Sequence, residues 1–372
     1  MDMFLPAVPV IARALGAEPG AAQHTVTAYL LGLAVGQLAW GPVSDRHGRK
    51  PVLLAGLGLF LVSSACAAAA DSVQSLVLLR FAQGVGMSSG PVVARSIVRD
   101  LYAREQAAHL LTRMMAVFGV IPVAAPLVGG QAIALSGWPA VFWVYSVVAL
   151  ALLAAVGFGL RETAPAARPS IAPARIAASY SVLFGDPRFR AALATMLLAQ
   201  LGIIAFVSSS ALAMVQALQL TPTVFSLLFA AVMLGQITGG IAGSRLVLRL
   251  GISRMVRLGA ALVLAGGLLL AALALAGMPH WSAVVLPMIL YLFGCSFMIP
   301  NATAAALSPF PKMAGAASSL LGALPFALGA LVSAALAAAF DGSTRPMAFA
   351  IAAFGLCAFL AERFFFRKLV HG

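Results

Sequence analysis

The chain has 372 residues, of which 62% are hydrophobic and 9% are charged, and its mean hydropathy is +1.03. A soluble protein of this length needs far more charge to cover its surface, so the composition excludes a soluble protein and indicates a polytopic membrane protein. The length accommodates about a dozen spans of ~20 residues. Helices are expected rather than a barrel, because alternating β-branched patterns are absent.

Hydropathy predicts an all-α membrane protein of twelve helices. The predicted helices are 1–15, 25–43, 51–70, 76–97, 106–133, 139–160, 190–214, 222–246, 254–277, 282–304, 313–338 and 345–364. The first segment would rise only about 22 Å, against a hydrocarbon core of roughly 30 Å. We therefore expect the first helix either to be N-terminally truncated or to start inside the membrane.

Lys and Arg concentrate in the loops that follow even-numbered helices and at the C-terminus. These residues are Arg46, Arg49, Lys50, Arg95, Arg99, Arg104, Arg113, Arg161, Arg168, Arg175, Arg188, Arg190, Arg245, Arg249, Arg254, Arg257, Lys312, Arg363, Arg367 and Lys368. The alternation predicts that these loops and the C-terminus are cytoplasmic. The net charge of +13 is therefore a topology signal, and no nucleic-acid partner is expected.

The sequence also contains an internal repeat. Residues 36–41 are echoed by 235–240, and Gly48 corresponds to Gly251 in the second copy. Such repeats predict two pseudo-symmetric halves. The expected division is an N-terminal six-helix bundle (1–160), a flexible cytoplasmic linker (161–189) and a C-terminal six-helix bundle (190–372).

A charged turn between the second and third helices packs an acid, a histidine and three bases between two uncharged apolar runs. Gly48 allows a sharp turn that brings Arg49 back toward the acids. The predicted electrostatic latch consists of Gly41, Asp45, Arg46, Gly48, Arg49 and Asp100, and it would hold the halves in one state and release them in another. The alternative is a solvated topogenic loop. The spacing G-x-x-x-D-R-x-G-R-K is similar to the signature loop of the major facilitator superfamily.

Asp2 is the acid that hydropathy places within a span, and Arg80 lies about two turns inside the fourth helix. A carboxylate within the membrane is energetically costly, so we treat Asp2 as a candidate functional residue. Along the membrane normal the two residues are separated by roughly 10 Å. The length of the arginine side chain and a tilt of the helices could close part of that gap. The alternative is that Asp2 is merely the frayed end of a short helix.

Several segments resemble the bicyclomycin/chloramphenicol-resistance (Bcr/CflA) branch of drug:proton antiporters. The resembling segments are 2–9, 27–32, 36–38, 79–86, 94–100, 125–130, 161–163 and, more loosely, 314–318. The resemblance implies the major facilitator fold, with proton coupling by Asp2 and Arg80. The sequence departs from the pattern at the short first helix and at Phe4, where tyrosine is usual.

The fifth helix carries a cluster of prolines and glycines. Proline kinks a membrane helix and glycine permits close helix contact, so ordinary tight packing is one explanation. The family resemblance implies the antiporter motif of exporters instead, formed by Pro122, Pro126, Gly129 and Gly130.

A substrate cavity is expected between the halves near the membrane midplane. Candidate lining residues at that depth are Phe4, Tyr29, Gln83, Met87, Gln200, Ser209 and Tyr291. Each of these side chains is also consistent with packing alone. The predicted cavity is apolar with almost no charge, which suits lipophilic or zwitterionic compounds better than sugars or phosphates.

No metal, cofactor or enzyme activity is expected, because the five histidines and three cysteines lack ligand spacing and no phosphate-binding loop is present. The predicted protein is a monomeric transporter of the bacterial inner membrane that exports a small amphipathic molecule in exchange for protons. A proton-coupled metabolite importer or exporter, and a transport-inactive membrane scaffold, are the alternatives.

Overall fold

A computed structural model describes residues 1–102, 104–164, 173–310 and 313–366, apart from the side chains of 19, 99, 104, 105, 107–120, 173–178 and 314. Part of the predicted flexible linker (165–172) and the basic residues Arg168, Lys312, Arg367 and Lys368 therefore lie outside the described residues, as do the side chains of Arg99, Arg104, Arg113 and Arg175. Every regular element in the described ranges is helical.

The chain begins with a 3-10 turn at Asp2–Ala7 that continues into helix α1. The helices are α1 (Val8–Ala14), α2 (Pro19–His47), α3 (Arg49–Ala68), α4 (Val73–Leu101), α5 (Arg104–Ser136), α6 (Pro139–Gly159), α7 (Pro173–Gly185), α8 (Pro187–Ala211), α9 (Pro222–Leu275), α10 (Ser282–Leu307), α11 (Ala314–Ala338) and α12 (Arg345–Ala361). Short π-helical segments follow α8 at Leu212–Ala217 and α12 at Glu362–Phe366.

The predicted twelve-helix architecture is confirmed. Among the described residues, nine helices are long and apolar enough to cross a membrane. One of them is α9, whose 54 residues bend at Gly251 and so supply the eighth and ninth predicted spans. The 3-10 turn with α1 corresponds to the first predicted helix, and α5 corresponds to the fifth. Large apolar side chains such as Leu135, Phe158 and Leu248 lie exposed on the outside, as lipid contact requires.

Helix α7 was not predicted. It lies inside the segment 161–189, where the sequence predicted a flexible linker. Its 13 residues are too few to produce a membrane-span signal, so a hydropathy search for spans passes over it. Asp186 separates α7 from α8 and caps α8, because its carboxylate accepts hydrogen bonds from the backbone N–H groups of Arg188 and Phe189.

The two halves of the chain meet tightly at one end of the molecule. At the start of α2 and the end of α11, a Cβ added to Gly20 would lie 2.7 Å from the Ala337 carbonyl oxygen. Thr27 Oγ1 donates a hydrogen bond of 2.9 Å to Ser333 Oγ, and Gln23 Nε2 donates one of 3.4 Å to the Ser333 carbonyl. We call this the closed end. The opposite end carries the charged turn 44–50 and is called the basic end.

Candidate functional site

Arg80 on α4 lies in a cage built by several elements of the first half. Its side chain is completely buried. The guanidinium carbon is 4.1 Å from the ring centroid of Phe4, in the 3-10 turn, and 4.1 Å from that of Tyr29, on α2. Phe142 on α6 supports Phe4, with ring centroids 5.5 Å apart. Two cation–π contacts therefore stabilise a cation that has been removed from water.

The polar partners of Arg80 leave part of its charge uncompensated. Its Nη1 donates to Gln83 Oε1, and Gln83 Nε2 donates a hydrogen bond of 2.7 Å to Ser64 Oγ on α3. Arg80 Nε and Nη2, and the hydroxyl of Tyr145 on α6, have no hydrogen-bond partner in the described part of the chain. Buried polar groups without partners are rare and point to a functional or switchable site.

Asp2 lies in the 3-10 turn that carries Phe4, and the residue is half-buried. The three ion pairs found among the described residues do not join Asp2 to Arg80. The rings of Phe4 and Tyr29 both lie against the guanidinium and occupy part of the space through which a carboxylate could approach Arg80. The half-buried acid thus lies two residues before Phe4 of the Arg80 cage, and the described residues show no direct ion pair between Asp2 and Arg80.

The charged turn at the basic end forms a cluster around Arg49, which is buried with 5% of its surface exposed. Arg49 Nε donates to Asp100 Oδ2 on α4 at 2.9 Å, and Nη1 donates to Asp45 Oδ1 and to Ser44 Oγ on α2 at 2.5 and 2.8 Å. The cluster ties α2, α3 and α4 together within the first half. All the contacts that the described residues show for this cluster lie within the first half. The remaining residues of the predicted latch lie on the same side, with Gly41 half-buried near Val92 and Arg46 exposed.

Glu162, just after α6, also belongs to this cluster, a role that was not predicted from the sequence. Its carboxylate accepts hydrogen bonds from the backbone N–H groups of Arg49 at 2.8 Å and Lys50 at 3.3 Å, which are otherwise unpaired at the start of α3. Burial acts to raise the pKa of the Glu162 carboxyl, but hydrogen bonds from Ala164, Arg49, Thr163 and Lys50 lower that pKa overall. Glu162 is therefore ionised at neutral pH, and its negative charge interacts favourably with the positive, N-terminal end of the α3 dipole.

The second half repeats this arrangement in simpler form. Glu362, after α12, is buried, and its carboxylate lies 3.9 Å from Arg257 Nε on α9. In both halves, then, a glutamate after the last helix contacts the third helix of its half. The pairing supports the internal repeat that the sequence predicts.

Gly48 and Gly251 adopt nearly the same conformation, with φ/ψ of +102/+158° and +76/+164°. This region is essentially restricted to glycine, and a side chain there costs about 1–3 kcal/mol. We expect Gly48→Ala to lower the free energy of unfolding more than Gly251→Ala. A Cβ at Gly48 would lie 3.0 Å from Glu162 Cδ, whereas no atom of the described residues lies within 4 Å of one at Gly251. Thermal unfolding of the purified variants in detergent measures the difference, and equal losses would contradict a packing role for Glu162 at this turn.

The predicted antiporter motif lies where α5 meets the first span and the second half. Pro126, Gly129 and Gly130 are buried and Pro122 is half-buried. A Cβ on Gly129 would collide with the Met3 carbonyl oxygen, and one on Gly130 would lie 2.6 Å from Ser226 Oγ on α9. The two glycines therefore allow α5 to approach both neighbours closely at the closed end.

A cavity of about 360 Å³ lies between α4 of the first half and α8, α10 and α11 of the second. Its lining residues are Arg95, Met196, Gln200, Ile299, Thr303, Leu307, Ser318, Leu321, Gly322, Pro325 and Phe326. Thr303 and Leu307 lie in the last turns of α10, so the cavity is displaced toward the basic end. Its volume is within the range of roughly 300–1,000 Å³ that small-molecule sites occupy.

Of the predicted substrate contacts, Gln200 is the one found among these lining residues. Phe4, Tyr29 and Gln83 surround Arg80, and Met87 is exposed on α4. Ser209 is buried and bonded to the Ala205 carbonyl of its own helix. Tyr291 is fully buried inside the second half, where its hydroxyl lies 3.4 Å from the Ala199 carbonyl oxygen. The structure thus brings three of the seven predicted contacts to the Arg80 cage.

The membrane-spanning helices, the repeated turns and the cavity between the halves are the features of a multi-pass membrane transporter. Residues 1–324 match the Major Facilitator Superfamily, and the chain belongs to this family. It is 30% identical over 374 residues to the bicyclomycin resistance protein homolog of Haemophilus influenzae, covering 98% of this chain and 92% of that protein. It is 34% identical over 329 residues to multidrug resistance protein D of Escherichia coli K12, covering 87% of this chain and 80% of that protein. The predicted resemblance to the Bcr/CflA branch is confirmed by these relatives.

A solved D-xylose–proton symporter has the same fold as this chain. The two superpose with a TM-score of 0.77 at 16% sequence identity, covering 98% of this chain and 93% of the symporter. At that identity the likeness concerns the fold alone.

Proposed function

We propose that the protein is a proton-coupled exporter of the bacterial inner membrane, which expels small amphipathic molecules in exchange for protons. The observation that carries this proposal is the position of the half-buried Asp2, two residues before Phe4 in the wall of the Arg80 cage. Two nitrogens of the buried Arg80 have no hydrogen-bond partner in the described part of the chain. An acid within a membrane span is suited to proton relay. The relatives named for multidrug and bicyclomycin resistance support the direction of transport.

The proposed orientation places the basic end and the C-terminus in the cytoplasm, as the distribution of Lys and Arg favours. The structure then represents an inward-facing state. The closed end is sealed by the contacts of Thr27 with Ser333 and of Gly20 with Ala337, while the cavity lies toward the cytoplasm. Transport would follow from rocking of the bundles 1–160 and 190–372 about this cavity.

In this mechanism the Arg49 cluster keeps the basic ends of α2, α3 and α4 together, so that the first bundle moves as a unit. A proton from outside neutralises Asp2 and changes the electrostatic balance around Arg80. That change biases the equilibrium between the outward- and inward-facing states. The membrane potential contributes about 2.3 kcal/mol per charge per 100 mV.

Everted membrane vesicles test the proposed function. With an acidic lumen, vesicles containing the protein are expected to accumulate a neutral amphipathic antibiotic, and a protonophore should release it. Vesicles from cells lacking the protein are the control. Accumulation that persists after the pH gradient has been collapsed would contradict proton coupling. Equal accumulation with and without the protein would contradict export.

A further inference from the structure

Gln200 brings a carboxamide into the wall of the cavity between the two halves. It lies near the middle of α8, and the residue is half-buried. No other residue that the structure describes forms a hydrogen bond with this side chain. A polar group within a membrane span costs free energy when it lacks a hydrogen-bond partner. The Gln200 carboxamide is therefore available to a ligand that enters the cavity.

The surface around Gln200 is largely apolar. Met196 lies one helical turn before it on α8, so both side chains share the face that lines the cavity. Leu321 and Phe326 of α11 line the same space. A ring system therefore finds apolar contacts beside the carboxamide. The volume of about 360 Å³ is near the lower end of the range for ligand sites, which suits a compound of a few rings.

Two other polar lining residues are already held by the protein. Thr303 Oγ1 donates a hydrogen bond of 2.8 Å to the Ile299 carbonyl. Arg95 Nε donates a hydrogen bond of 2.8 Å to the Pro91 carbonyl. Gln200 differs from both, because its side chain presents an N–H donor and a C=O acceptor next to each other. Among the described lining residues it is the one carboxamide.

The complement of a carboxamide is an N–H group and a carbonyl held side by side in a ligand. Two hydrogen bonds then form together: the ligand N–H donates to Gln200 Oε1, and Gln200 Nε2 donates to the ligand carbonyl. Glutamine recognises the adjacent donor and acceptor of adenine in the same way. A ring that fixes its amide in the cis arrangement presents both groups on one edge, so it needs no reorganisation to bind.

We propose that Gln200 is a specificity-determining residue, which selects neutral planar heterocycles that carry a cis-amide edge. Met196, Leu321 and Phe326 contact the rings while the carboxamide bonds to the edge. Ring lactones of the same shape are disfavoured, because an ether oxygen in place of the N–H group leaves Gln200 Oε1 without a donor. This inference names a substrate class and so rests on the proposed export function, but the preference itself is a property of binding.

Three bicyclic probes of nearly the same shape test the preference: 2-quinolinone, coumarin and 1-methyl-2-quinolinone. Coumarin has an oxygen in place of the ring N–H group of 2-quinolinone, and the third probe has a methyl group in place of that hydrogen. Binding to the full-length protein in neutral detergent is measured by calorimetry, and titrations into detergent alone are subtracted. Wild-type protein should bind 2-quinolinone about tenfold more tightly than either other probe, since an unpaired polar group has an effect of that size.

Gln200→Leu removes the carboxamide and leaves a side chain of similar size. We expect this variant to bind coumarin as the wild type does, which shows that it is folded. Its preference for 2-quinolinone over coumarin should fall about tenfold. Gln200→Met, with an unbranched side chain of similar length, should give the same result. Gln74→Leu is the matched control and should keep the preference, because it makes the same change at an exposed position of α4 outside the cavity.

Equal binding of 2-quinolinone and coumarin by the wild type, or no binding of either, would overturn the proposal. A preference that persists in both Gln200 variants, or that is lost in Gln74→Leu, would overturn it as well. Accumulation in everted vesicles separates this result from the proposed function. A wild type that shows the preference but accumulates no 2-quinolinone along a pH gradient would contradict export and leave the role of Gln200 in binding supported.

Discussion

Replacing Asp2 by Asn should abolish gradient-driven export while leaving expression and folding intact. Asparagine is nearly the same size as aspartate, so the packing of the 3-10 turn is preserved. The asparagine side chain cannot take up or release a proton at physiological pH. In everted vesicles we expect accumulation of a neutral antibiotic to fall to the level of vesicles without the protein. Asp2→Glu keeps a carboxyl group and should retain part of the activity.

Asp71→Asn is the control for this variant, because Asp71 is an exposed acid in the loop between α3 and α4. Its removal should leave export unchanged. Gradient-driven accumulation by Asp2→Asn at the wild-type level would contradict the assignment of Asp2 to proton coupling.

Replacing Arg80 by Gln should also abolish export, and it should destabilise the first half as well. The change removes both cation–π contacts, to Phe4 and Tyr29, and leaves a gap in the cage. We expect a loss of roughly 2–4 kcal/mol in unfolding free energy. Thermal unfolding in detergent and vesicle uptake together measure the two effects.

Arg80→Lys separates charge from geometry, because lysine keeps the charge but lacks the planar fork that stacks on the two rings. We expect Arg80→Lys to unfold at an intermediate temperature and to transport little. Arg345→Gln, at an exposed arginine, is the matched control and should behave as the wild type. Wild-type export by Arg80→Lys would show that the cage geometry is not needed.

The helices and the repeat could be predicted from the sequence because both depend on local properties. Hydropathy along the chain is enough to place membrane spans. The repeat matched Gly48 with Gly251, and both adopt a backbone conformation that glycine alone tolerates. The pairing of Arg49 with Asp100 was expected from their positions at the same end of neighbouring helices, and the contact is present.

The cavity lining could not be predicted in the same way. Tyr291 has the depth expected of a substrate contact, but its side chain points into the second half, because depth does not determine which face of a helix a residue occupies. Arg95 was counted as a topology signal at the end of a span, whereas the end of α4 borders the cavity. The capping role of Glu162 depends on the start of α3, which is distant in sequence.

The relation of Asp2 to Arg80 also required three-dimensional information. The sequence places both in the first half, at different depths, and suggests a direct pair. The structure instead packs Phe4 and Tyr29 against the guanidinium, and two of its nitrogens have no partner among the residues that the structure describes. Two aromatic residues on separate elements thus determine how an acid reaches the cation.

Whether substrate and proton compete through Asp2 is measured most directly by proton release from the purified protein. A saturating neutral antibiotic is added in weakly buffered detergent solution, and a pH-sensitive dye records the change. Wild-type protein should release protons when the ligand binds, and Asp2→Asn should bind the ligand without releasing any. Equal release from both proteins would show that another group carries the exchanged proton.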